Sequence, residues 1–174
     1  FLNDNKFKIQ QFPPRYYLEP SSTQSFENLD FKQYFDFSKI QPKIFDRNDA
    51  LKVIREEFIE SVKSRMMCDR EFACLLSGGL DSSLVSAIAS EIYKKEGRKL
   101  KTFCIGIDSE SPDIKYAQIV ADHIGSDHTT VIIPESEWLD AIKNIVDKIE
   151  SYDITSVRAS TGQYLISKWI AQNT

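Results

Sequence analysis

The order of apolar and polar positions changes period several times along the chain, and each change marks an element. Phe72 to Leu76 is an unbroken apolar run, the pattern of a strand buried on both faces of a parallel sheet and too short for a helix. Leu84, Val85, Ile88, Ala89 and Ile92 then recur at helical spacing, with Lys94, Lys95 and Gly97 as a helix end. A second apolar strand, Leu100 to Ile107, leads to Ser111 as a cap, Pro112 at the first helical position and a buried face of Ala117, Val120, Ala121 and Ile124, with Gly125 past its end. His128 to Ile133 reads as a third strand. Ser136 is the expected cap of the next helix, whose buried positions are Leu139, Ile142, Ile145, Val146 and Ile149. A last amphipathic helix, starting near Ser160, carries Leu165, Ile166, Trp169 and Ile170. The order βαβαβα predicts an α/β fold, a right-handed parallel sheet covered by helices.

Upstream the pattern is less regular. Lys6 to Ile9 and Tyr16 to Leu18 read as two short strands around the Phe12-Pro13-Pro14-Arg15 turn, and a lone hairpin is marginal in water, so it must pack on something. Residues 19–45, rich in Ser, Asp, Gln and Pro with scattered aromatics such as Phe26, Phe31 and Phe35, suit an irregular connector and a domain boundary. Asn48 or Asp49 can cap a long helix with Leu51, Ile54, Phe58, Val62 and Met66 on one face and charges opposite. This divides the chain into 1–18, 19–45 and 46–174.

Composition narrows the class. A chain of 174 residues fits one domain plus an appendage and can bury a proper core. At 41% hydrophobic residues and a net charge of -4, it lacks the positive field that gathers nucleic acid. Cys68, Cys74 and Cys104 are odd in number and lack C-x-x-C spacing, which predicts free thiols in a reducing, cytosolic setting. No signal peptide, membrane-spanning run or repeat is visible, so no membrane partner is expected.

The chemistry concentrates between the first strand and its helix. Gly78 and Gly79 let backbone approach a ligand closely, and Ser77, Ser82 and Ser83 add hydroxyl donors to the free amides of a helix start. Such a turn holds an anion. Asp81 is the oddity, because a carboxylate about 4 Å from a phosphate charge costs roughly 4 kcal/mol at an effective dielectric of about 20, and a helix terminus offsets at most about 2 kcal/mol. A divalent cation shared by Asp81 and the phosphates, with magnesium the best fit, resolves the conflict. Neither the G-x-x-x-x-G-K-[ST] loop nor the G-x-G-x-x-G order is present. A plain Gly-Gly turn capped by Asp81 or Ser82 is the structural alternative.

Other polar residues divide between ordinary and functional roles. His123 and His128, beside Asp122 and Asp127, have no nucleophile elbow or cysteine-rich spacing to support them, and a structural or surface role is expected. Asp113 suits first-turn helix electrostatics. In Glu150 to Ser160 an arginine, Arg158, stands among hydroxyls, as bidentate binding of phosphate or carboxylate requires; a surface arginine beside a helix cap explains it equally well.

The string SGGLDSS resembles the pyrophosphate (PP) loop of the ATP pyrophosphatases, which cleave ATP between its α and β phosphates. Taken with Ser111-Pro112-Asp113, the Ala121 to Gly125 turn and ESYDITSVRAS, the chain from about Phe12 to Thr174 resembles the synthetase domain of glutamine-dependent asparagine synthetase. That resemblance implies a parallel sheet with helices on both faces, of the Rossmann-like adenine nucleotide alpha hydrolase kind. It also implies a carbon–nitrogen ligase of amino-acid biosynthesis, which adenylates the side-chain carboxylate of aspartate with ATP and Mg2+, releases pyrophosphate and lets ammonia attack the acyl adenylate. Ser77, Gly78, Gly79, Asp81, Ser82 and Ser83 would then hold pyrophosphate and magnesium, with Asp81 the metal ligand, and backbone at Leu75 and Ile105 would line the adenine. Thr155, Ser156 and Arg158 match the segment that meets phosphates and the reacting centre, with Arg158 stabilising the leaving pyrophosphate.

Ser156 stands where the family more often has threonine, and the hydroxyl is kept. Residues 1–18 resemble the last hairpin of the family's glutaminase domain, which supplies ammonia from glutamine. The chain therefore reads as an internal piece that lacks that domain in cis and a downstream Ser-Gly-Glu-Gly-Ser-Asp-Glu loop, and alone it is expected to make no asparagine. A homodimer is compatible with the resemblance. Beta-lactam synthetase, which shares the architecture, and a non-catalytic nucleotide-binding module are the competing readings.

Overall fold

The computed structural model describes residues 11–19 and 31–174. The chain divides into two compact units, Phe1–Ala50 and Leu51–Thr174.

In the first unit, β1 (Tyr16–Leu18) pairs antiparallel with β2 (Phe31–Gln33), with Tyr17 opposite Lys32. Phe31, one of the aromatics expected in an irregular connector, lies in this ribbon. Phe31 meets Phe12 edge to face at 5.2 Å between ring centres, and cross-strand aromatic contacts of this kind stabilise short strands. Lys6 to Ile9, read as the other half of a hairpin, lies outside the described residues.

The chain then enters α1 (Arg47–Arg65). Its cap is Asp46 rather than Asn48 or Asp49: the Asp46 carboxylate accepts from the amides of Asn48 (2.8 Å) and Asp49 (3.1 Å). Of the apolar face predicted for α1, Val62 is buried among Cys74, Ala89, Tyr93 and Leu100, and Met66 packs at the edge of that cluster. Leu51, Ile54 and Phe58 are exposed instead. Their helical spacing made an apolar stripe that only the last turns of α1 bury.

The second unit carries β3 (Ala73–Leu75), α2 (Leu80–Lys95), β4 (Lys101–Gly106), α3 (Pro112–Ile124), β5 (Asp127–Ile132), α4 (Glu135–Ile149) and α5 (Ile154–Asn173). The strands form a three-stranded parallel sheet in the order β3-β4-β5. Alternate residues of the sheet face opposite layers. Cys74 packs with Ala89 and Tyr93 of α2, and Leu76 and Cys104 pack with Ala117 and Ala121 of α3. On the other side Ile105, Val131 and Ile133 pack with Ala141 and Ile145 of α4 and Leu165 of α5, while Phe103 lies 6.2 Å from the Trp169 ring. Helices therefore cover both faces. Each fully buried aliphatic chain here, such as Leu76 or Ile145, contributes about 1.5–3 kcal/mol.

Two predicted helix starts shift in this unit. Pro134, with its fixed φ, occupies the cap position of α4, and Glu137 N–H donates to its carbonyl at 2.9 Å, so Ser136 lies inside the helix. On that helix Leu139 and Ile142, read as core, are exposed, because α5 covers a narrower stripe than the sequence pattern suggests. Helix α5 begins at Ile154, well before Ser160, since the Asp153 carboxylate accepts from the Ser156 amide at 2.8 Å. Leu165 of that helix is buried. Among the described residues no helix is long and apolar enough to cross a membrane.

Candidate functional site

Ligands of open α/β sheets sit beyond the carboxyl ends of the strands, and the Ser77–Ser83 turn lies there, between β3 and α2. Leu76 N–H still donates to Phe103 O at 2.8 Å, so the sheet holds the chain up to the turn. Gly78 then adopts φ +77°, and a Cβ at this position would stand 2.6 Å from the Ala117 nitrogen. Glycine is needed for the conformation and for the close approach to α3. Gly79 caps α2 without a side-chain bond, leaving first-turn amides open.

The serines hold the turn in shape. Ser82 Oγ accepts from Ser77 N–H at 3.3 Å and lies 3.1 Å from Ser77 Oγ, while Gly79 N–H donates to Ser77 Oγ at 3.4 Å. Ser83 Oγ is shielded from solvent and has no partner among the described residues. Asp81 is exposed in the first turn of α2 and makes no ion pair among the described residues. Among the described residues no group of three or more His, Cys, Asp or Glu gathers to form a protein metal cage. A lone carboxylate beside open amides fits magnesium, which binds through one or two carboxylates and takes its other ligands from phosphate and water.

Next to the turn, a cavity of about 420 Å³ opens between the ends of β3 and β4 and the start of α5. Leu75, Ser77, Ile105 and Arg158 all line it. Arg158, an exposed residue, makes no ion pair or hydrogen bond among the described residues, so its planar fork is free for an anion. Thr155 and Ser156 share its helix turn, are exposed and do not line the cavity. Gly78, Gly79, Asp81, Ser82 and Ser83 form the adjoining turn rather than the cavity wall.

Asp113, assigned from sequence to first-turn helix electrostatics at the start of α3, also lines the cavity. So do Trp138, Gly162 and Gln163, which sequence reasoning passed over because they carried no local signal. Cys104 reaches the same wall, but burial, and then the Asp113 carboxylate, push its thiol above the usual range. A thiol held neutral is a poor nucleophile.

The comparisons with known proteins place the chain in a family. The asparagine synthase family model matches residues 53–174. A glutamine-hydrolysing asparagine synthetase from Gallus gallus is 40% identical over 96% of this chain and 32% of its own length, and asparagine synthetase B from Escherichia coli (strain K12) is 36% identical over 93% and 30%. The chain thus spans about a third of the length of these relatives. A solved ammonia-dependent NAD synthetase from Campylobacter jejuni, in complex with a nitrate ion, overlaps 67% of this chain and 48% of its own at 15% identity with a TM-score of 0.45, too low to bear on fold or function. With its family model covering the entire sheet, the PP-loop-like turn and the arginine-bearing helix, the chain belongs to the asparagine synthase family.

Proposed function

We propose that this chain supplies the nucleotide half of a site that makes asparagine. ATP is cleaved between its α and β phosphates as the side-chain carboxylate of aspartate attacks the α phosphorus, giving β-aspartyl-AMP and pyrophosphate. Ammonia then attacks the acyl carbon and AMP leaves. The relatives are glutamine-hydrolysing by name, which points to glutamine as the source of ammonia; a glutaminase domain in cis and residues 1–18 as its last hairpin belong to this proposal, as does a cytosolic setting for the free thiols.

The observation that carries the reading is the convergence of Leu75, Ser77, Ile105 and an unpaired Arg158 on one cavity beside the Ser77–Ser83 turn. The turn's amides and hydroxyls receive the β and γ phosphates. Arg158 places a fixed positive charge where pyrophosphate departs, and stabilisation of that developing charge speeds the step. Thr155 and Ser156, in the same helix turn as Arg158, are assigned to the same phosphates and reacting centre. Asp81 would hold magnesium, which when bound neutralises phosphate charge. Leu75 and Ile105 give the adenine an apolar seat.

Product analysis tests the reaction. The protein at the length of its relatives, given aspartate, ATP, magnesium and ammonium, is expected to form AMP, pyrophosphate and asparagine in equal amounts. ADP and phosphate would contradict the proposal. Tight ATP binding without any cleavage would assign the chain to a nucleotide-binding module instead.

A further inference from the structure

We infer that Trp138 forms an aromatic wall for a planar nucleobase in the cavity beside the Ser77–Ser83 turn, and that Gly162 exists to seat that wall. The inference rests on the nucleotide reading above and adds a base-contacting residue to it. Trp138 lies in the first turns of α4, partly buried. Its indole Nε1–H donates to Ile133 O at 3.0 Å, just past the end of β5. That bond uses the ring's only polar atom and fixes its position. What remains is an apolar π face.

Gly162 explains where the ring can lie. It stands in the interior of the 20-residue helix α5, where glycine weakens a helix relative to alanine, and its φ is not in the left-handed region. Conformation therefore gives no reason for it, but packing does. A Cβ here would stand 3.2 Å from Trp138 Cη2, 3.3 Å from Cζ3 and 4.0 Å from Ile105 Cγ2. The missing side chain lets the far edge of the indole rest against the backbone of α5, next to Ile105.

Trp138, Gly162 and Ile105 line the same cavity as Ser77 and Arg158. Its lining combines two chemistries: Ser77 and Arg158 suit an anion, while Leu75, Ile105 and a pinned indole suit a flat ring. A volume of about 420 Å³ is within the range of small-ligand pockets. A phosphate joined to a planar base satisfies both, and stacking on an aromatic side chain favours the base without demanding a particular hydrogen-bond pattern.

AMP and pyrophosphate, titrated separately into the full chain in the presence of magnesium, test this. Trp138 and Trp169 are the only tryptophans, so in a Trp169→Phe background the emission reports on Trp138 alone. AMP is expected to quench it and pyrophosphate to leave it unchanged. Calorimetry on Trp138→Leu should show AMP binding weakened about tenfold with pyrophosphate affinity kept, and Gly162→Ala, whose Cβ makes the indole give by a few tenths of an ångström, should weaken AMP in the same direction and by less. If Trp138→Leu fails to fold, the Gly162→Ala titration and the quench carry the test. AMP binding that neither quenches Trp138 nor weakens in the variants overturns the wall and leaves the nucleotide reading standing. Failure of both AMP and pyrophosphate to bind the parent chain removes both.

Discussion

His128 shows how a single polar side chain is settled by its neighbours. Its Nδ1 lies 2.9 Å from Thr102 Oγ1, which in turn lies 2.8 Å from Ser126 Oγ, and its Nε2 is buried without a partner among the described residues. The structural role expected from sequence fits this network. Burial holds the imidazole below its ordinary value of 6.5, with the Asp122 carboxylate opposing only in part. Because the folded value is depressed, the unfolded chain takes up protons first as pH falls, and stability drops from 6.5 down to the folded value. Above 6.5 both states are neutral and the effect vanishes. Denaturant midpoints measured from pH 7 to pH 5 are expected to fall less steeply in His128→Asn than in the parent; identical slopes would place the proton uptake elsewhere. At this scale the turn was legible in the sequence, since Gly78, Ser77 and Asp81 advertise their chemistry by type and order. Trp138 and Gly162 were not, because an indole and a missing Cβ acquire meaning only once α4 and α5 are packed together.

Among the elements, α5 departs furthest from its sequence pattern. Ser, Thr and Asp favour turns because their side chains compete for backbone groups, so Glu150 to Ser160 reads as a polar loop. In the fold the same property starts the helix. Asp153 accepts the Ser156 amide, Val157 N–H donates to Asp153 O at 2.9 Å, and the turn carrying Arg158 becomes rigid helix. The bond from the Ser156 amide is the main reason the Asp153 carboxyl lies below its ordinary value of 3.8. A depressed carboxyl contributes stability above its unfolded value and loses it as pH falls through the folded one. The Ser156 amide should therefore lose its protection from hydrogen exchange as pH falls below 3.8 and through the still lower folded value. In Asp153→Ala the protection should be absent even at pH 6, and full protection there would show that the cap is immaterial. By contrast α3 followed its signals closely, with Pro112 at its first position and Gly125 left-handed at its end, because those residues act through backbone geometry alone.

At the scale of the molecule, the alternation of apolar strands and amphipathic helices was enough to give a parallel sheet covered on both faces, since each strand is buried and each helix must cover it. What the pattern could not give is which part of each apolar stripe finds a neighbour. Leu51, Ile54 and Phe58 on α1, and Leu139 and Ile142 on α4, are exposed for that reason. The sheet's chief consequence is positional: its strands deliver the Ser77–Ser83 turn, the Ile105 wall and, through α5, Arg158 to one edge. The proposed function requires that turn to be a phosphate site. Diffraction from crystals soaked in pyrophosphate and magnesium measures it most directly. Density for pyrophosphate against the amides of the Ser77–Ser83 turn, within reach of Arg158, is the expected result; density at another place, with the turn ordered and empty, would contradict it.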